Sequence, residues 1–418
     1  MRLNFDIKKS FLKNGLEVIT IKKNTQIASV NVGIKIGAIY ENLNEKGISH
    51  FIEHLLFKGT EKRDNEKLND NLESLGGEYN AYTDYSETVY TIGCLCEELK
   101  YAVELLGDMV TSSVFPEDEI QKERGVILAE IRTAKDDIED LSFRKINEIA
   151  YNNSPLRYDV TGIEEIVKNI KRDQLVKFYK KYYTPQNSLV TIVSPMEHDE
   201  ALEVVSSSFG KWQGDNLKKP EIIIESNNKI TVSTYKKNIE QSTIVYLYTF
   251  NDLKKEEELP LRILNHRLGE SANSLLFREL REKRGLAYDV YTNLDITNDS
   301  KSLYIYTSVA NEDINDAIDT INQTIESVKN GQIKLGEKDL DLMKKVHKMA
   351  VISTIEDSSE LCNYVLHQEI ENEDIYEFVS DMDRLNNIDT ASVLNVAKLV
   401  LNNPTIHILT SKKEKQNE

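Results

Sequence analysis

"GISHFIEHLLFKGT" (Gly47–Thr60) places two of the chain's seven histidines and a glutamate within five positions of an otherwise apolar run. The run has helical spacing, and residues four apart on a helix lie one above the other. His50 and His54 therefore present their imidazoles to one point, as two nitrogen ligands of a single cation must. Glu53 borders that point without having to occupy it. With seven histidines and 70 acidic residues in 418 positions, roughly 0.02 occurrences of His-x-x-acid-His arise by chance. Burying two histidines on an apolar helix is costly without a metal or partners. The stretch reads as a zinc site with a base attached.

A catalytic zinc takes three protein ligands and leaves a position for water, so one ligand is owed. His198, His266, His347, His367 and His407 are isolated and lack partner spacing, which makes a carboxylate the better candidate. The helical stretch "EDEIQKERGVILAEIRTAKDD" (117–137) offers Glu123 and Glu130, seven residues apart and about 20° from superposed on one face. One could bind the metal while the other orients it or a neighbouring histidine. Spacing does not choose between them.

Outward from this region the chain alternates between strand and helix signals. "LEVITIKK" (16–23) and "SVNVGIKI" (29–36) have the period of two expected of strands. Gly76 and Gly77 separate a helix from the strand region "EYNAYTDYSETVYTIGCL", and long helical patterns cover 97–112 and 116–151. "WQGDNLKKPEIIIESNN" (212–228) is polar, carries Gly and Pro and lacks helical period, as a linker does. The second half then replays the first, with paired strands over 229–250, a helix, Gly285, the strands "LAYDVYTNL" and "SLYIYTSV", long helices and a final strand. "TPQNSLVTIVS" and "NNPTIHILTS" are similar endings to the two halves. An internal duplication is expected: a zinc-binding domain over 1–214, a linker over 215–228 and a domain of similar fold over 229–418. Each is an α+β sandwich, a mainly antiparallel sheet with long helices packed against it. The length agrees, because single cores stop growing near 250–300 residues.

Composition narrows the function classes. Hydrophobic residues at 40% and charged residues at 29% describe an ordinary folded protein. The net charge of −18, from 52 basic and 70 acidic residues, would repel nucleic acid or an anionic membrane surface. It fits solubility, or a cavity that attracts basic peptides. The start has no apolar run of an export signal, and no stretch approaches the ~18 apolar residues of a membrane span. Cys94, Cys96 and Cys362 make an odd count that reads as buried thiols in a reducing cytoplasm.

H-x-x-E-H is the inverzincin signature. "HFIEHLLFKGT" together with "ERGVILAEI", whose last glutamate falls 76 residues after His54, resembles the pitrilysin and insulin-degrading enzyme family. The closest look is to its half-length branch, which contains the β subunit of the mitochondrial processing peptidase and bacterial processing proteases. The resemblance implies that Glu130 is the third ligand and that Glu123 supports a ligand from behind. It implies that "LGGEYNAYTDYSETVY" lines the cleft, with Asn80 contacting a peptide while Ala81 and Tyr82 pair main chain with it as an added strand. "LREKRGLAY" looks like the family's substrate-clamping segment, in which Arg281 would hold a substrate carbonyl or carboxylate and Tyr288 would hydrogen-bond near the scissile carbonyl.

The expected activity is that of a zinc metalloendopeptidase with one Zn2+ per chain and Glu53 as base, acting on extended peptides or unfolded segments. Two alternatives are a non-catalytic peptide-binding subunit of a heterodimeric protease and a protease dedicated to one precursor or leader peptide. Single-chain relatives carry four such domains and this chain has room for two, so a homodimer is the simpler expectation, with a heterodimer of related chains as the other.

Overall fold

The computed structural model describes residues 5–215, 219–333 and 336–411. Two sheets organise it. The first has six strands: β1 (Phe5–Phe11), β2 (Glu17–Lys23), β3 (Ile27–Ile34), β4 (Glu78–Thr83), β5 (Thr88–Leu95) and β6 (Ser188–Ser194), in the order β1-β2-β6-β3-β5-β4. Only β2 and β6 run parallel. The second has β7 (Thr231–Tyr235), β8 (Ser242–Thr249), β9 (Ala287–Ile296), β10 (Lys301–Val309) and β11 (Thr405–Thr410), in the order β7-β11-β8-β10-β9, with β7 and β11 as its parallel pair. Without β1 the two orders are the same permutation of chain order, which is the duplication expected from the repeated motifs. In both sheets one edge strand, β4 or β9, begins within two residues of a glycine, Gly77 or Gly285. A Cβ on Gly77 would lie 2.0 Å from the Gly93 carbonyl oxygen, so this tight entry admits no side chain.

Alternation assigns each residue of the first sheet to one of two cores. Val18, Val30, Val32, Tyr90, Val190 and Ile192 face a large core shared with the helices Ile48–Leu56, Leu99–Ser112 and His198–Phe209. Ile19, Ile21, Val89, Leu189 and Val193 face a smaller core closed by Leu361, Cys362, Val365 and Leu366. Helices thus cover both faces, which is why all seven residues of β6 are buried.

The helix closing the second face, Ser358–Ile370, comes from the far half of the chain and lies on β3 and β6. The reciprocal event occurs at Ile138–Ala150, which lies on β8 and β11 of the second sheet. The compact units are accordingly discontinuous: residues 1–132, 158–222 and 351–377 form one, and residues 133–157, 223–350 and 378–418 the other. This differs from the contiguous division into 1–214 and 229–418. The junction at 222/223 falls inside the stretch read as a linker, of which residues 216–218 lie outside the described residues.

The expected helix over 116–151 is two helices, Glu117–Asp136 and Ile138–Ala150, and the break makes the exchange possible. Asp137 takes an extended conformation and its carboxylate accepts from the Glu139 and Asp140 amides. Asp357 does the same for Ser359 and Glu360 between Glu337–Glu356 and Ser358–Ile370. An N-cap aspartate satisfies orphan donors of a new helix and lets it leave in a new direction.

Cys94 and Cys362 are buried and Cys96 is half-buried in the turn after β5, so only two of the three thiols match the expectation of burial. Burial pushes the Cys94 and Cys362 thiols up to about 12 and about 11. Among the described residues no helix is long and apolar enough to cross a membrane.

Candidate metal centre

The Ile48–Leu56 helix is placed by its apolar side and its N-terminus. Ile48, Phe51, Ile52, Leu55 and Leu56 are buried, which turns His50, Glu53 and His54 to the opposite side. Gly47 precedes it at φ +96, and a Cβ there would lie 2.7 Å from the Thr161 carbonyl oxygen. The buried Glu41 carboxylate accepts from the Gly47 and Ser49 amides at 2.9 and 2.8 Å, satisfying donors that the first turn leaves open. Burial pushes the Glu41 carboxyl up to about 7 against these bonds.

The His50 and His54 rings stand edge to face with centroids 4.7 Å apart. Glu130, from the Glu117–Asp136 helix, brings its Oε2 to 3.9 Å from His50 Nε2 and 3.7 Å from His54 Nε2. One ligand atom from each of these three residues lies within 4.8 Å of the others, and no second such group occurs among the described residues. Zinc ligands at 2.0–2.2 Å in tetrahedral geometry stand roughly 3.3–3.6 Å apart. The two distances from Glu130 to the histidine nitrogens are within a few tenths of an ångström of that spacing.

The surroundings favour the protonation states a metal needs. His54 Nδ1 lies 3.0 Å from Glu123 Oε2, and the other Glu123 oxygen pairs with Lys58 Nζ at 3.0 Å. A proton held on Nδ1 leaves the Nε2 lone pair facing Glu130. Burial, then the adjacent His54, pushes the His50 imidazole down to about 4, so it is neutral at physiological pH. Two imidazoles and a carboxylate are a donor set that fits zinc. Spacing left Glu123 and Glu130 equivalent, and in space they differ: Glu130 faces both Nε2 atoms, whereas Glu123 backs His54.

Glu53 stays outside this set. Its Oε2 accepts a 2.6 Å hydrogen bond from Thr83 Oγ1. Burial raises the Glu53 pKa above the usual carboxylate value, and the Thr83 bond is the first of the groups opposing that rise. Sequence reasoning named Asn80, Ala81 and Tyr82 on this strand and missed Thr83. The period of two would have found it, since Thr83 shares with Ala81 the face toward the histidine helix.

Asn80, Ala81 and Tyr82 lie on β4, the outermost strand of the sheet, whose single strand neighbour is β5. The Ala81 amide donates to Asn80 Oδ1 at 2.9 Å, so an added strand would have to take this donor from the side chain. Arg281 and Tyr288 belong to the second unit. The Arg281 guanidinium lies over the Phe277 ring at 5.1 Å, and Tyr288 is 71% exposed near the start of β9.

Residues 17–163 match the family described as Insulinase (Peptidase family M16), and residues 169–346 match the one described as Peptidase M16 inactive domain. An uncharacterized zinc protease of Bacillus subtilis is 30% identical over 359 residues, 84% of this chain and 85% of that protein. Another, from Rickettsia bellii, is 32% identical over 343 residues, 80% of this chain and 81% of its own length. A crystal structure of a protease from Helicobacter pylori superposes with a TM-score of 0.90 at 23% identity, covering 97% of this chain and 99% of that one. A peptidase M16 inactive domain structure from Pseudomonas fluorescens superposes at 0.88 and 16% identity, covering 98% and 99%. The matched segments and these identities, over most of both chains, establish that this chain belongs to peptidase family M16, the insulinase family.

Proposed function

We propose that the chain is a zinc-dependent endopeptidase that cuts extended peptides or unfolded segments. The observation that carries this reading is the division of labour on one helix: His50 and His54 converge with Glu130, while Glu53 between them is held by Thr83 and left free to work as a base. The curated relatives named as zinc proteases point to the same metal.

His50, His54 and Glu130 would hold one zinc per chain, which would supply Lewis acidity and acidify a water from 15.7 to about 7. The protein's own contribution is orientation and proton transfer. Glu123 sets the His54 tautomer, and burial keeps His50 neutral. Glu53 accepts the proton of the attacking water and returns one to the leaving amine. The outer edge of β4 pairs with peptide main chain through Ala81 and Tyr82, with Asn80 beside them, which selects for extended segments and reads few side chains. Arg281 would hold the substrate and Tyr288 would donate to the developing oxyanion, roles that rest on the resemblance of "LREKRGLAY". A homodimer in a reducing cytoplasm accords with two domains per chain and three free thiols.

Digesting unfolded casein with purified protein, with and without a chelator, tests the reading, and mapping the cuts of a random peptide library defines the preference. Chelator-sensitive cleavage supports it. A zinc-loaded protein that binds peptide without cutting it would instead be a peptide-binding subunit. Two variants refine the assignment. Arg281→Ala should weaken cleavage with zinc content intact, and a parallel fall in zinc would make Arg281 a structural support. Thr83→Val removes a bond that favours the Glu53 carboxylate, so the Glu53 pKa rises further. A base works only when ionised, so the acidic limb of kcat/KM against pH should move to higher pH.

A further inference from the structure

Tyr82 stands on the face of β4 opposite Ala81 and Thr83, against the smaller core under the Ser358–Ile370 helix. Its hydroxyl donates to Asn363 Oδ1 at 2.9 Å and lies 3.0 Å from His367 Nε2, across 281 and 285 residues of sequence. The Tyr82 and His367 rings stack with centroids 6.2 Å apart. The second His367 nitrogen, Nδ1, lies 2.7 Å from Glu87 Oε1, a carboxylate 1% exposed just before β5. Burial alone would lower the His367 pKa, but Glu87, with Asp84 and Glu371 adding to it, holds the ring above its ordinary value. Burial keeps the Tyr82 phenol neutral. The polar contacts then form a chain, from the Glu87 carboxylate to the His367 ring, from the ring to the Tyr82 oxygen, and from the Tyr82 hydroxyl, which donates to Asn363.

We propose that His367 and Asn363, brought in by the exchanged helix, are positioning residues that hold β4 ready to pair with a peptide. The proposal rests on the peptidase reading above. An outermost strand has main-chain partners on one side only, so side chains must supply the rest of its order. On one face Tyr79 and Ala81 pack on the large core and Thr83 bonds Glu53. On the other face the Tyr82 hydroxyl makes the polar attachment. Without it β4 loosens, and the ordering cost falls on substrate binding. The turn after β4 is closed separately by the Asp84 amide donating to the Glu87 carbonyl at 2.8 Å, so Thr83 keeps its place beside Glu53.

The test uses zinc-loaded full-length protein and an internally quenched unstructured peptide that the wild type cuts. His367→Ala should raise KM about tenfold, the worth of one to two hydrogen bonds, with kcat within about twofold and zinc content unchanged. Amide exchange should quicken over 78–83 and stay slow in β3 and the Ile48–Leu56 helix. Tyr82→Phe keeps the packing and removes the hydroxyl, so it should reproduce the KM effect even if His367→Ala folds poorly, and the double variant should be no worse than either single one. Unchanged KM with unchanged exchange overturns the proposal. So does a joint loss of kcat, zinc and protection across the unit, the signature of a merely structural role. If the wild type cuts no peptide, the peptidase reading fails, and exchange over 78–83 still decides whether His367 orders the strand.

Discussion

Replacing Glu53 with glutamine should lower kcat by about 10²–10⁴-fold and leave zinc content unchanged, the usual worth of general acid–base catalysis. The separation of effects follows from geometry. Glu53 is not among the three residues whose ligand atoms converge, so the donor set survives. A glutamine carbonyl can still accept from Thr83 Oγ1, which now bonds the carboxylate at 2.6 Å. What disappears is the ability to take a proton. Stability should move the other way. Burial raises the Glu53 pKa, so this carboxylate costs the folded state stability once the pH passes its unfolded value, and the neutral amide removes that cost at pH 7. The variant should therefore melt no lower than the wild type in the metal-free state. Full activity in Glu53→Gln would remove the residue from the role of base, and loss of zinc would make it a ligand.

Replacing His54 with alanine should abolish both zinc binding and peptide cleavage. His54 is one of only two nitrogen donors, and its loss leaves His50 and Glu130 short of the three protein ligands a catalytic zinc takes. The fold should persist. Leu55 and Leu56 still anchor the helix, and Glu123 keeps Lys58 at 3.0 Å, so no buried charge is stranded. Glu123→Gln should do less, weakening zinc affinity by about 10–100-fold, because it acts through the His54 ring. Metal analysis of the purified variants measures both effects. Stoichiometric zinc in His54→Ala would refute the ligand set.

Part of the architecture and of the site is legible in the sequence. The four-residue spacing of His50 and His54 is a local property of a helix, and the alternation over 16–23 and 29–36 marks strands whichever sheet they join. The repeated endings near Thr184 and Asn402 exposed the duplication that the two strand orders repeat. Asp137 and Asp357 carried a cap signal that the long helical patterns concealed. The discontinuous units were hidden more deeply, since nothing in the period of Ile138–Ala150 or Ser358–Ile370 says which sheet each will cover.

Periodicity, capping and composition act over a few residues, and they decided that a histidine pair with a neighbouring acid would form on an amphipathic helix. Contacts across long stretches of chain had to wait for the folded molecule: Glu130 rather than Glu123 at the two Nε2 atoms, Thr83 on Glu53, and His367 on Tyr82. The reason is physical. A repeating pattern tells which face of its own element a side chain occupies, whereas the partner it meets depends on how separate elements are brought together to bury their apolar faces.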